Sequence, residues 1–87
     1  MAIYVTEHTL TGMTDAHLQS LQSVLTQTSI RLTDAGKPIR LLCCSCRTPQ
    51  LLVCAFAASS EAFVRQALDI AQLPLANSCR RLRLEPS

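Results

Sequence analysis

The sequence has no tryptophan, one tyrosine and two phenylalanines among its 87 residues. Its core must therefore be built from aliphatic and sulfur side chains. Two glycines and four prolines are too few for a collagen-like or linker composition. No apolar run approaches the ~18–20 residues that a membrane-spanning helix needs; the longest is 51–58. Charge of one sign is also lacking. Eight basic against six acidic residues leave +2, weak attraction for nucleic acid or an anionic membrane. The opening residues Met1 to Glu7 have neither the basic nor the apolar region of a secretory signal. These absences predict a cytoplasmic chain with no nucleic-acid and no membrane partner. There is no Gly-rich phosphate loop, no G-x-S-x-G and no H-E-x-x-H.

What the chain does have is 48% apolar residues and five cysteines: Cys43, Cys44, Cys46, Cys54 and Cys79. An odd number argues against a closed disulfide framework, and thiols stay reduced in a cytoplasm. A domain of this size buries only roughly 60–65% of its unfolded surface. Such a chain gains most from a partner subunit or a bound metal.

The order of elements is legible. Ala2 to His8, with Ile3, Tyr4 and Val5, reads as a strand. Thr14 then caps a helix that Asp15 starts at the favourable dipole end. Leu18, Leu21, Leu25, Thr28 and Leu32 recur at the spacing of one helix face. Gly36 is placed to end that helix in a left-handed turn, and Pro38 prevents its resumption. Ile39 to Cys46 and Leu51 to Ala57 read as strands around a four-residue turn at 47–50. Ser59-Ser60-Glu61 starts a second helix with Phe63, Val64, Ala67, Leu68 and Ala71 on its apolar side. A last strand runs from Cys79 to Leu84. The order β-α-β-β-α-β predicts one ferredoxin-like α+β domain over 1–87: a four-stranded antiparallel sheet with both helices on one face.

The hairpin is apolar on both faces. A turn at 47–50 sets Cys46 against Leu51, Cys44 against Val53 and Cys43 against Cys54. One face then carries Ile39, Leu41, Cys43, Ser45, Leu52, Cys54 and Phe56; the other carries Leu42, Cys44, Cys46, Leu51, Val53, Ala55 and Ala57, plus Arg40. Two helices cover only one face. At ~25 cal/mol per Å², wetting the other would forfeit several kcal/mol. The simplest cover is a second copy, sheet against sheet, which predicts a homodimer of the dimeric α+β barrel type.

Candidate ligands follow from that placement. Cys43 and Cys54 read as small core residues. Cys44 and Cys46 share the proposed dimer face, where two thiols from each subunit would meet and bind Zn, Cu or Ni. The segment from Thr9 to Thr14 holds no Cys, which disfavours a copper-chaperone reading. Glu7 falls with Ile3 and Val5, and its carboxylate wants a metal or an arginine there, Arg81 or Arg83. His8 points to the opposite face and is a second candidate; His17 reads as a solvated residue. Arg80, Arg81 and Arg83 make a charged edge strand that resists edge-to-edge pairing.

The chain also resembles a known group. Tyr4-Val5-Thr6-Glu7, Gly12 and Thr14, then Val53-Cys54-Ala55-Phe56, Ala58-Ser59, Glu61-Ala62, Leu73-Pro74 and the closing hydrophobic-Arg strand are similar to a family of small bacterial proteins. That family is of largely unknown function, and some members bind nickel. The resemblance implies a ferredoxin-like fold and a dimer. Glu7 and Cys54 fall on its characteristic polar and sulfur positions. Relatives carry His in the second helix, where this chain has Leu68 and Gln72.

The resulting expectation is a cytoplasmic homodimer that binds nickel or another divalent transition metal without catalysis. Its ligands come from Glu7, His8, Cys44, Cys46 and Cys54. The alternative is a small-molecule enzyme or binder of the dimeric α+β barrel type. It would use a sheet–helix cavity with Glu7 as general base.

Overall fold

A computed structural model of the chain describes residues 1–10, 12, 14–48, 50–73 and 78–82. The elements are β1 (Ala2–Thr9), α1 (Asp15–Asp34), β2 (Ile39–Thr48), β3 (Leu51–Ala58), α2 (Glu61–Ile70) and β4 (Ser78–Leu82). All strand pairs are antiparallel, in the order β2-β3-β1-β4. This is the ferredoxin-like arrangement expected from the sequence.

Local chemistry sets the helix ends. Thr14 Oγ1 accepts a hydrogen bond from the His17 amide at 3.2 Å, filling one of the orphan donors of the first turn. At the other end Gly36 takes a left-handed φ of +85°. The Lys37 amide donates to the Leu32 carbonyl and the Gly36 amide to Thr33, the paired bonds of a Schellman ending. Thr33 Oγ1 then donates to the Ile39 carbonyl at 2.9 Å and accepts from its amide at 3.1 Å, tying the end of α1 to the start of β2. The same logic repeats in α2. Ser60 Oγ caps the Ala62 amide, and Gln72 at φ +59° ends the helix with Leu73 donating to Leu68 and Gln72 to Asp69.

Both helices pack on one face of the sheet. Leu25, Leu32, Val64, Ala67 and Leu68 bury there against Leu52, Cys54, Phe56 and Ala58. On β1 the alternation is clear: Tyr4, Thr6 and His8 are buried on this side. Ile3, Val5, Glu7, Leu51, Val53, Ala55 and Ala57 are half-buried on the other. Among the described residues, no element lies over that second face.

The hairpin differs from the expected register, and the reason is local. β2 and β3 extend to Thr48 and Leu51, which face each other, so the connection is shorter than a 47–50 turn. From Ile39 to Leu41 the pairing follows the expected register. It then slips by one between Leu41 and Cys43, and again between Cys46 and Thr48. Leu42 is thus the extra residue of a β-bulge. A one-residue slip in a period of two turns every following side chain to the other face. Cys44 therefore faces Cys54, and Cys43 faces Ala55.

Candidate functional site

The bulge at Leu42 builds the main cluster of sulfur. Cys44 of β2, Cys54 of β3, Thr6 of β1 and Cys79 of β4 are successive partners across all four strands. Opposed residues of an antiparallel ladder share a face, so this row lies under the helices. Cys44 Sγ and Cys54 Sγ are 3.2 Å apart. Their residues are 5% and 0% exposed, so the contact is dry. One rung along, Cys46 pairs with Leu52, and Leu52 with His8. His8 Nε2 and Thr6 Oγ1 share a buried hydrogen bond of 2.9 Å. Among the described residues, no buried side-chain N or O lacks a partner.

The row is electrically asymmetric. The hydrogen bond with Cys44, then burial, push the Cys54 thiol well above the ordinary range. The same bond from Cys54 lowers Cys44, against the opposing effect of its own burial. Either sulfur can serve as the S–H donor of this contact. Burial raises the Cys46 thiol, as do the nearby Cys44 and Asp15. Cys79 is raised by burial and then by Glu61.

These positions correct several sequence expectations. Cys44 and Cys46 lie on the helix side and not on the open face, because the bulge flips them. Cys43 is exposed on the open face and not paired with Cys54 in the core. Of the five expected ligands, His8, Cys44, Cys46 and Cys54 share the helix side, while Glu7 stands on the opposite face. Its Oε1 is 3.7 Å from Arg80 Nη2. Arg80, and not Arg81, is thus its partner. Arg81 registers with Tyr4 on the helix side, and Arg83 lies outside the described residues. Among the described residues, no three His, Cys, Asp or Glu side chains are grouped to hold one ion.

Glu7 also faces away from any space between sheet and helices, so that cavity has no general base in Glu7. A groove of about 570 Å³ runs instead between α1 and the start of β2, lined by Ser29, Ile30, Asp34, Ile39 and Arg40 among others. None of the five expected ligands lines it. No helix among the described residues is long and apolar enough to cross a membrane.

The Cys44–Cys54 pair was not legible in the chain. Both hairpin faces are apolar, so no hydrophobic pattern marks where the ladder slips. Thr6 and Cys79 were missed for a related reason: they matter only through cross-strand neighbours.

The architecture defines the class: a ferredoxin-like α+β domain. No family model matches the chain, and no curated protein matches it. Among solved structures, it is similar to the crystal structure of SCO4226 from Streptomyces coelicolor A3(2). The TM-score is 0.76, over 98% of this chain and 100% of that one, at 14% identity. At that identity the likeness carries the fold and nothing more.

Proposed function

We propose that this chain is a cytoplasmic, non-catalytic homodimer that binds a transition-metal ion. The observation that carries the metal reading is the dry Cys44–Cys54 contact of 3.2 Å. Two thiolates are soft donors and select nickel, zinc or copper over calcium or magnesium. With metal–sulfur bonds of ~2.3 Å, tetrahedral binding needs the two sulfurs to part by only about half an ångström. Cys46 and His8 stand one rung away on the same face and are the nearest candidates to complete a ligand set. Glu7 has no place in it. The resemblance to nickel-binding proteins favours nickel among these ions, and an odd set of free thiols suits a reducing compartment.

The dimer reading rests on the open sheet face. Ile3, Val5, Val53, Ala55 and Ala57 form a continuous aliphatic surface with charged residues at its margins, Arg40 and Arg80. A second copy laid on this face would remove it from water at ~25 cal/mol per Å².

Metal analysis of protein purified without a histidine tag tests the first part. The expected result is one ion per chain, lost on Cys44→Ser or Cys54→Ser. No stoichiometric nickel, zinc or copper, with a melting temperature unmoved by adding them, ends the metal reading. Sedimentation tests the second. A dimer is expected, together with Cys43 alkylation that slows as protein concentration rises. A monomer at high concentration, with Cys43 reacting equally fast throughout, ends the dimer reading.

A further inference from the structure

We propose that Cys44 and Cys54 form a redox-active dithiol that closes into a cross-strand disulfide within one chain. The inference goes beyond the metal reading and stands without it.

The geometry is already close to that of the product. The two residues are direct partners in the antiparallel ladder. Opposed Cα atoms in such ladders lie ~4.5–5.5 Å apart, inside the ~4.4–6.8 Å range of disulfides. The sulfurs stand 3.2 Å apart and need to approach by roughly 1.2 Å to reach the ~2.05 Å bond. No change of register is required. The contrast with Cys43 is instructive: it is the neighbour of Cys44 in sequence, yet it faces Ala55 and is exposed. Without the slip at Leu42, Cys43 would face Cys54; the slip puts Cys44 there instead.

The roles of the two sulfurs differ by access. Cys44 keeps 5% exposure while Cys54 has none, so an oxidant arriving from solvent meets Cys44 first. Cys44 is therefore the nucleophile. The site is dry, so the oxidant must be small; a peroxide fits. Cys44 gives up its proton, its thiolate attacks one peroxide oxygen, the O–O bond breaks, and Cys44 becomes a sulfenic acid while the leaving hydroxide takes up the released proton as water. The Cys54 sulfur then attacks the Cys44 sulfur, the S–O bond breaks, and water departs with the Cys54 proton. Two thiols have lost two hydrogens, and one peroxide has become two waters. A dithiol reductant reverses the change by exchange. Closure joins β2 to β3 beside the bulge and removes both thiolates from any soft ion.

The test uses metal-free, fully reduced protein treated with stoichiometric hydrogen peroxide. It is then alkylated in denaturant and mapped by mass spectrometry. Trypsin cuts after Arg40, Arg47 and Arg65, so the two cysteines fall in peptides 41–47 and 48–65. The expected result is a linked pair of these peptides from a chain that stays monomeric by mass in non-reducing denaturant. Fragmentation should assign the bond to Cys44, and dithiothreitol should reverse it. Cys43→Ser should retain the link at an unchanged rate; Cys44→Ser should abolish it and leave Cys54 alkylated. The proposal is overturned if Cys44 and Cys54 both remain alkylated while Cys43 or Cys46 carries the oxidation. It is equally overturned if the link forms only in urea-unfolded chain. Mapping of the unsubstituted protein decides the matter even if Cys44→Ser fails to fold. A failed metal titration leaves this readout untouched.

Discussion

The side-chain amide of Gln22 donates to the backbone carbonyl of Cys44 across 2.6 Å. Gln22 sits in the middle of α1 and Cys44 two residues past the bulge in β2. The bond therefore ties the helix to the strand just after the register has slipped. It holds the Cys44 side chain over Cys54.

Gln22→Leu removes this donor and leaves the carbonyl short of a partner. The expected loss is about 1–2 kcal/mol, read as a lower urea midpoint. Gln22→Glu should cost more at neutral pH, because two acceptors then face each other. Faster alkylation of Cys44 in the folded state should accompany both. If both variants unfold with the parent, the bond does not hold the strand.

The two helices end on left-handed residues of different kinds. Gly36 has φ +85° and Gln72 has φ +59°. A side chain in this region is strained by ~1–2 kcal/mol, partly offset by the greater entropy a glycine loses on folding. Gln72→Gly is thus expected to gain about 0.5 kcal/mol. Gly36→Ala is expected to lose about 1 kcal/mol through the backbone alone, since a Cβ there meets nothing within 4 Å. In a domain this size, 1 kcal/mol moves Tm by roughly 4–8 °C, so a thermal scan separates the two. A fall in Tm for Gln72→Gly would refute the account of that cap.

Stability should fall above the ordinary thiol pKa of ~8.5. The Cys54 thiol is raised in the folded protein by its bond to Cys44 and by burial, and Cys46 and Cys79 are raised chiefly by burial. The folded chain then keeps protons that the unfolded chain releases. The stability these thiols add is whole below the ordinary value and declines as pH climbs beyond it. Cys44 is shifted the other way and works against the trend. Urea midpoints at pH 7.5 and pH 10 should differ in the parent and differ less in Cys54→Ala. Equal midpoints in the parent would contradict this.

Glu7→Gln breaks the 3.7 Å contact with Arg80. Both side chains are more than a third exposed, so the stability change should stay within about 0.5 kcal/mol. Because Glu7 stands across the sheet from the thiols, metal stoichiometry should not change. Loss of bound metal in this variant would return Glu7 to the ligand set and displace Cys44 and Cys54 from its centre.

Several features needed nothing but the chain. Thr14 and Ser60 cap because hydroxyls reach an amide two or three residues on. Gly36 ends α1 because it alone tolerates the turn cheaply there. The Leu18-to-Leu32 stripe buries because its period matches a helix. The opposite faces of Glu7 and His8 followed from strand alternation. Arg80 as the partner of Glu7 did not, since it depends on the β1–β4 register.

Local and periodic signals in the amino-acid order thus determined the succession of elements, their caps and the inward face of each helix, and with them the ferredoxin-like plan. The tertiary structure decided the register beyond Leu42, and so which way the sulfur of residues 43–46 points. The physical reason is that burial selects a strand's register only where its two faces differ in polarity. In this hairpin both are apolar, and the choice passed to a bulge and to contacts from α1 that lie far away in sequence.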